Sequence, residues 1–267
     1  MLLYYSQRAL TYQGDALRAM EGIMRKVSHK VKCGFLQGLP SVALDAFLLF
    51  KAHGGILHRR AEFPSYSWAG WRGGIIFDSS VDTLDEWLPH QTWVVWYKRS
   101  PLGTTNLVWD PAARKSTPIY GKAYAKTGKS QILNSIVPHG VKTSRTAPTE
   151  AISLTARTPP YPLLQFWSIS LFYKLGEMDV FAGTCSLIGI DGKECGRMAL
   201  DGFEETTFFN SQASFEVVLL SGMSPINIML LEWNKGMAER RGIGTLDNDK
   251  VNNGFPPGPL WKEIILG

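Results

Sequence analysis

Side chains that can perform catalysis occur in this sequence, but their spacing matches no common catalytic arrangement. Ser65 and Ser67 could act as nucleophiles, yet neither stands in a G-x-S-x-G turn and no histidine is placed to activate them. Glu204 and Glu205 are adjacent, so in a strand their carboxylates would point to opposite faces, which does not suit paired acid–base catalysis. The catalytic residues therefore stay unknown, and we expect Ser67 to bond to local backbone.

The histidines and cysteines lack the spacing of a metal site. The five histidines never approach one another at ligand spacing. The three cysteines, Cys33, Cys185 and Cys195, form no C-x-x-C pair and leave an odd thiol. An odd thiol is more typical of a reducing, intracellular protein than of a disulfide scaffold. We therefore expect neither a metal ion nor a cofactor.

The glycine and arginine pairs have simpler interpretations than ligand binding. Gly73–Gly74 lacks the strand–loop–helix context of a phosphate-binding loop, as do Gly242 and Gly244, so we interpret these glycines as turns or bulges. Arg59–Arg60 could bind an anion or a partner carboxylate, but a solvated pair is the simpler interpretation.

Composition and charge narrow the class of protein. Of the 267 residues, 45% are hydrophobic, which is enough to build a substantial core in one large or two small domains. Residues 1–60 carry nine Lys or Arg against three acidic residues, but these cations are scattered along predicted helices rather than interleaved with aromatic residues. We expect a solvated face or a protein-partner surface there, and no nucleic acid.

No segment predicts a membrane span or a secretory signal. The longest apolar run, 163–173, is interrupted by polar residues and is shorter than the roughly 20 residues that a spanning helix needs. The apolar start is too short for a signal peptide. We predict a soluble, cytoplasmic protein.

Two helices are predicted in the first fifty residues, and a further helical turn is predicted later, with Leu84, Trp87 and Leu88 on one side. Asp15 can cap a helix over residues 15–28, in which apolar residues recur at helical spacing. Pro40–Ser41 opens a second helix over residues 41–50. Apart from Asp45, that helix is apolar nearly all round, so it needs cover on more than one side.

Strand patterns follow residue 70. We predict strands over 74–77, 91–99 and 106–109, then a loop or linker over 111–160, where periodicity fades and threonine and proline accumulate. Asp191–Gly192 is a tight-turn signal in the last part of the chain. Seven further strands are predicted there: Leu163–Lys174, Thr184–Asp191, Arg197–Leu200, Phe215–Ser221, Ile226–Trp233, Gly242–Leu246 and Trp261–Leu266.

These patterns predict an α+β fold. A short N-terminal helical region precedes a mainly antiparallel C-terminal region that resembles a β-sandwich or barrel. The three expected parts are residues 1–110, the linker 111–160 and the β-rich domain 161–267.

The run from residue 63 to residue 71 combines four aromatic residues with small residues and one proline. Pro64 excludes a helix interior and Gly70 weakens a regular strand, so we expect a rigid corner that inserts several rings into neighbouring structure. Trp68 and Trp71 could form a stacking platform for a ligand, but burial beside Phe63 is the simpler expectation. The nine residues are Phe63, Pro64, Ser65, Tyr66, Ser67, Trp68, Ala69, Gly70 and Trp71.

This aromatic corner closely resembles the FPSWSWAGW signature of the fungal heterokaryon incompatibility (HET) domain, with Tyr66 where the family usually has Trp. Other stretches resemble further family pieces in the same order, namely residues 5–12, 15–23, 35–40, 47–50, 92–97, 195–197, 239–244 and 261–267. Within the last two pieces the resemblance singles out Arg240, Gly242, Gly244 and Trp261. Together the pieces span nearly the whole chain.

The resemblance implies a role in non-self recognition and cell death in filamentous fungi. Family members begin with an α/β segment that carries "LSYcWG" and "iDalCINQ" blocks, which this sequence lacks, so residues 1–110 are interpreted as the C-terminal remnant of the HET region. That front segment is thought to be related to TIR-like domains, which implies NAD hydrolysis for an intact member. This chain would then act as a scaffold or interaction module with protein partners.

Two alternatives remain open at this stage. The first is a self-contained hydrolase with its site between the two halves, which a buried carboxylate or histidine with a perturbed pKa would favour. The second is a ligand-binding β-sandwich, which several exposed and coplanar tryptophans would favour. If a packing segment is missing, the apolar helix over 41–50 is expected to leave one face open.

Overall fold

The computed structural model of this protein describes residues 2–77, 87, 91–92, 94–109, 147–149, 159–179, 181–202, 213–222 and 225–267. Over these residues the chain forms few helices and one large, mostly antiparallel sheet, which confirms the α+β class. The helices are α1 (Leu2–Ser6), α2 (Glu21–Val31) and α3 (Leu44–Phe47), with 3₁₀ turns at Gln13–Asp15, Arg18–Met20, Trp68–Gly70 and Asn248–Asn253.

The strands of the described residues fall into short pairs near the N-terminus and long strands near the C-terminus. The short ones are β1 (Phe35–Leu36), β2 (Leu39–Pro40), β3 (Lys51–Ala52), β4 (His58–Arg59), β5 (Trp71–Arg72), β6 (Ile75–Ile76), β7 (Tyr97–Arg99) and β8 (Thr105–Leu107). The long ones are β9 (Leu163–Asp179), β10 (Thr184–Ile188), β11 (Glu194–Leu200), β12 (Phe215–Ser221), β13 (Ile226–Asn234), β14 (Met237–Leu246) and β15 (Leu260–Leu266).

Six of the long strands together form one closed ring. β9 pairs with β10, β10 with β11, β11 with β14, β14 with β13, β13 with β12, and β12 returns to β9, always antiparallel. β9 can serve at both ends of this ring because its 17 residues pair with β12 in the middle and with β10 from Lys174 onward. β7 and β15 extend the sheet from the first half of β9. The predicted antiparallel, barrel-like architecture is confirmed.

Most of the predicted strands are confirmed. All seven strands of the C-terminal part occur, and Phe215–Ser221 has the predicted bounds. The predicted strand 91–99 is largely wrong, because only β7 and an isolated bridge between Thr92 and Ser221 form. β7 nevertheless pairs with β8 and β9, so this segment joins the sheet as expected. Trp93 and nearly all of the predicted linker 111–160 lie outside the described residues.

The first predicted helix is displaced. Residues 13–20 form two 3₁₀ turns, and α2 begins only at Glu21, where no side chain caps it. The predicted cap at Asp15 is therefore wrong. Asp15 instead forms an ion pair with Arg18, with 3.3 Å between the charged atoms. The helical pattern of residues 15–28 is real, but Ala16 and Met20 are drawn into the core before the α-helix starts.

The second predicted helix is shorter than expected and fully covered. Ala43 has φ −137° and ψ 59°, so α3 starts at Leu44, and after Phe47 the chain runs on toward β3. The expectation of an open face is wrong, because residues 41–50 are all buried except for the half-buried Phe47. α3 packs against β2 and β12. One large cluster of buried side chains includes residues from Ala16 to Leu266. The division of the chain into 1–110, 111–160 and 161–267 stays a prediction.

Gly242 and Gly244 lie within β14, so their interpretation as a turn is wrong. A Cβ on Gly244 would stand 2.1 Å from the carbonyl oxygen of Arg197 on β11, so only glycine allows the two strands to approach. The interpretation as a bulge agrees better with the structure. The β13–β14 register shifts next to Gly242, where Arg241 is the extra residue between Arg240 and Gly242. This shift sets the inward direction of Arg240.

Candidate functional site

The aromatic corner is a compact buried turn. All nine of its residues are buried, and the predicted burial of Trp68 and Trp71 is confirmed, at 3% and 1% exposure. A Cβ on Gly70 would stand 2.3 Å from the carbonyl oxygen of Pro64, so the turn closes only with glycine at this position. Ser67 Oγ accepts a hydrogen bond from the Ala69 N–H at 3.0 Å, as predicted.

Polar atoms of the corner bond to backbone of other segments. The indole N–H of Trp68 donates to the Gly38 oxygen at 2.9 Å, and Ser67 Oγ donates to the Gln37 oxygen at 2.6 Å. Tyr66 donates to the oxygen of Pro162 at 2.6 Å, and burial raises the pKa of its hydroxyl. Trp71 donates within the corner, to Ser65. With rings and N–H groups already engaged in the core, the corner offers no platform for a ligand.

Ser65 joins the corner to the last residues of the chain. Its hydroxyl accepts a hydrogen bond from the backbone N–H of Arg240 at 2.8 Å and donates to the oxygen of Gly267. Its own backbone N–H also donates to Gly267, at 2.9 Å. A fully buried hydroxyl with both functions engaged is not placed to act as a nucleophile.

Arg240 is the most enclosed cation among the described residues, with no exposed side-chain surface. Its Nε and Nη2 donate to the two carboxylate oxygens of Asp201 at 2.6 and 2.8 Å, a bidentate ion pair. Nη1 donates to the oxygen of Leu48 at 2.5 Å, and Nη2 also donates to the oxygen of Phe50. The guanidinium lies 3.6 Å from the centroid of the Phe50 ring. These contacts compensate the desolvation of the charge.

The interpretation of Arg59–Arg60 as a solvated pair is wrong. Arg60 is 4% exposed and donates to the Trp71 oxygen at 2.5 Å and to Gln13 at 2.7 Å. Arg59 donates to the oxygens of Phe63 and Gly70, at 2.7 and 3.2 Å. Burial lowers the pKa of both guanidinium groups. Both arginines therefore stabilise the carbonyl groups of the corner instead of presenting charge to a partner.

Asp45 is the one polar side chain of α3 and lies in a different environment from Arg240. It is fully buried, and neither carboxylate oxygen has a hydrogen bond of good geometry. Desolvation raises its pKa to about 6, although the Thr92 hydroxyl and the Trp87 indole favour the charged form and oppose this shift. Asp45, Thr92 and Trp96 line a cavity of about 10 Å³, which has room for roughly one water molecule.

This enclosed carboxylate meets the condition stated above for a hydrolase, but only in part. A perturbed pKa in a cleft favours acid–base catalysis. A cavity of about 10 Å³ is far smaller than the roughly 300 Å³ of a small-molecule site, so no substrate reaches Asp45 in this conformation. Sequence reasoning missed both Asp45 and Asp201 as important residues. Only Asp45 carried a signal, as the single charge in an apolar segment.

The tryptophans give little support to a ligand platform. Among the described ones, Trp167, Trp233 and Trp261 are half-buried and the others are buried. Trp167 and Trp261 are nearly parallel, at 17° and 6.2 Å between ring centroids, but Trp167 also donates to the oxygen of Ala147. Lys262 covers the ring of Trp233 at 4.1 Å. The condition of several exposed, coplanar rings is not met within the described part of the chain.

Two further features are absent from the described residues. They contain no group of three or more His, Cys, Asp or Glu side chains that could hold a metal ion. None of the helices in this part of the chain has the length and apolar character needed to cross a bilayer. Comparison with family models, curated proteins and solved structures finds no match to this chain.

Replacement of Arg240 is expected to destabilise the protein strongly. Arg240→Met leaves Asp201 as an unpaired buried charge, and breaking a buried pair in this way costs about 3–5 kcal/mol of unfolding free energy. The adjacent Arg241, whose pairs with Glu232 and Glu239 are partly exposed, is the matched control. Arg241→Met should cost about 1 kcal/mol or less. Urea unfolding of the three proteins tests this, and equal losses for the two variants would contradict the role given to Arg240.

Asp45 is expected to make stability depend on pH. Its pKa is about 6 in the folded protein against 3.8 for an ordinary aspartate, so the folded state binds more protons between these values. The stabilisation of the folded state by this bound proton is fully present below about pH 4 and is lost as the pH rises through about 6. Relative to the wild type, Asp45→Asn should therefore gain about 2–3 kcal/mol of unfolding free energy between pH 4 and pH 7.

Urea unfolding at both pH values measures this change, and a constant packing cost of the amide cancels in the difference. Asp15→Asn, at an exposed ion pair, is the control and should leave the difference between the two pH values unchanged. An identical pH dependence in Asp45→Asn and wild type would show that the buried carboxyl does not titrate in this range.

Proposed function

We propose that this chain is an interaction module of the heterokaryon incompatibility type, which takes part in non-self recognition and the associated cell death by binding a protein partner in the cytoplasm. One observation carries the proposal. The pieces of sequence that resemble the family are scattered over the chain, yet hydrogen bonds and ring contacts join four of the eight other pieces to the aromatic corner.

The contacts of the corner reach four of the other pieces. Ser65 bonds to Arg240 of the 239–244 piece and to Gly267 of the 261–267 piece. Trp68 bonds to Gly38 of the 35–40 piece and has an edge-on ring contact with Tyr5 of the first piece, at 6.0 Å between centroids. Segments that resemble pieces of one family in the same order, and that also meet at one point, are consistent with a single structural unit. This arrangement supports a scaffold rather than a catalytic centre.

The N-terminal helix α2 offers the surface on which such a module would bind. None of its eleven residues, all described, is buried, and Met24 packs only partly against the core. Ile23 and Val27 lie one turn apart and are 37% and 36% exposed. Lys26 and Lys30 flank them on the same side of the helix. An apolar pair with a cationic border fits an acidic protein surface.

Overexpression of this chain is expected to suppress the cell-death reaction between incompatible fungal strains. A partner-binding module without catalytic activity occupies the partner and lowers the fraction of fusion cells that die. The double variant Ile23→Glu/Val27→Glu should lose this effect. The matched control Ile56→Glu/Ile190→Glu changes two other exposed isoleucines, at 51% and 55% exposure, and should keep it. Vital-dye counts of fusion cells measure survival. Unchanged survival with the wild-type chain would contradict the proposal, as would equal suppression by both double variants.

The hydrolase alternative is supported only by the raised pKa of Asp45. We expect no release of nicotinamide when the purified protein is incubated with NAD, because a carboxylate must reach the ribose to stabilise the developing positive charge. Asp45 is enclosed, while Asp15 and Glu21 form exposed ion pairs with Arg18 and Arg25. Chromatographic assay of nicotinamide decides the question. Turnover that disappears in Asp45→Asn, with Asp15→Asn as the control, would establish the hydrolase instead.

A further inference from the structure

A second, larger hollow lies on the solvent-facing side of the barrel. Its volume is about 330 Å³, within the range of small-molecule sites. β3 forms one wall, through Lys51 and Ala52, and the strands β10, β11, β13 and β14 form the floor. The aromatic corner and the Asp45 cavity contribute no residue to it. A ligand in this hollow would therefore bind apart from the aromatic corner and the Asp45 cavity.

The strand register builds a polar row across this floor. Arg197 on β11 pairs with Thr245 on β14, and Thr245 pairs with Asn227 on β13. Directly paired residues point to the same face of a sheet, so three polar side chains line up across three strands. They supply a guanidinium, a hydroxyl and an amide, which together can donate several hydrogen bonds to one anionic group.

The neighbouring row is apolar except for Thr184. Ala199 pairs with Ile243 on one side and with Thr184 on the other, two residues along each strand from the polar row. The hollow exists because the side chains around it are small, as at Ala52, Ala182 and Ala199. A ligand that fills it must therefore place a compact apolar body beside the polar row.

The charge of the lining is positive. Lys51 and Arg197 both border the hollow, and none of the described residues that line it is acidic. Glu194 approaches only the Nε edge of Arg197, at 3.2 Å, in an ion pair whose two side chains are 77% and 51% exposed. An exposed pair of this kind contributes little and does not prevent the guanidinium from binding another anion.

We propose that this hollow binds a small organic anion, with a phosphate or carboxylate group on a compact apolar body. The anionic group lies against Arg197 and Lys51 and accepts hydrogen bonds from Thr245 and Asn227. The apolar body lies on Ala199 and its neighbour Ile243. Charge alone would hold any anion, but the adjacent apolar row selects those with an aromatic or branched aliphatic part.

Titration of the full chain with phenyl phosphate, followed by NMR of the backbone amides of Ala199 and Thr245, tests the proposal. Benzyl alcohol is the uncharged probe and should bind at least tenfold more weakly. Arg197→Gln should weaken phenyl phosphate binding at least tenfold. Ala199→Leu fills the hollow and should abolish the shifts. Arg25→Gln removes a comparable exposed cation from α2, paired with Glu21, and should leave binding unchanged.

Three results would overturn the proposal. One is the absence of shifts at both amides with phenyl phosphate. The second is equal binding of the charged and uncharged probes. The third is unchanged binding in Ala199→Leu, which would show attraction to surface charge without a pocket. Thermal melting of each variant confirms folding. If Ala199→Leu does not fold, unchanged binding in the exposed Arg197→Gln variant overturns the proposal in its place. None of these measurements depends on the activity of the chain in fungal cells.

Discussion

The rest of this structure depends on the compensation of one buried charge. The guanidinium of Arg240 is entirely removed from water, and such a charge is tolerated only when its donors are matched. Asp201 neutralises it from the end of β11, while the carbonyl groups of Leu48 and Phe50 accept from the other side of the group. The end of α3, the approach to β3 and the barrel must therefore take the positions that bring these acceptors together.

The aromatic corner also contacts Arg240, through Ser65. Ser65 stands between the backbone of Arg240 and that of Gly267, and this contact joins residues 202 positions apart in the sequence. Arg59 and Arg60 donate hydrogen bonds to carbonyl groups of the tight turn, at Phe63, Gly70 and Trp71. The small residues of the corner follow from this crowding, since a Cβ on Gly70 would overlap the backbone of Pro64. The motif thus encodes a junction between segments.

Sequence reasoning predicted the strands far better than the helices or the centre. Strands such as Phe215–Ser221 carry β-branched and apolar residues whose local preference agrees with their burial. Residues 41–50 are apolar because they are enclosed on all sides, and an apolar run of that length does not distinguish a helix from a covered loop. The sequence predicts a surface position for Arg60 because it shows the charge of the side chain but not the carbonyl groups that surround it in the fold. Asp201 carried no signal, since its partner lies 39 residues away.

Arg240 and Asp45 are both ionisable side chains in the protein interior, but their surroundings differ. Arg240 has acceptors for its donors and a ring beneath its plane, so its burial adds geometric definition to the fold. Desolvation outweighs the indole, hydroxyl and backbone N–H groups near Asp45 and raises its pKa, so its burial opposes folding at neutral pH. A destabilising carboxylate gains nothing for a pure scaffold, because an apolar residue of similar size would pack there more favourably. Protonation of Asp45 at the contact between α3 and the Thr92 segment would therefore change the stability of the fold.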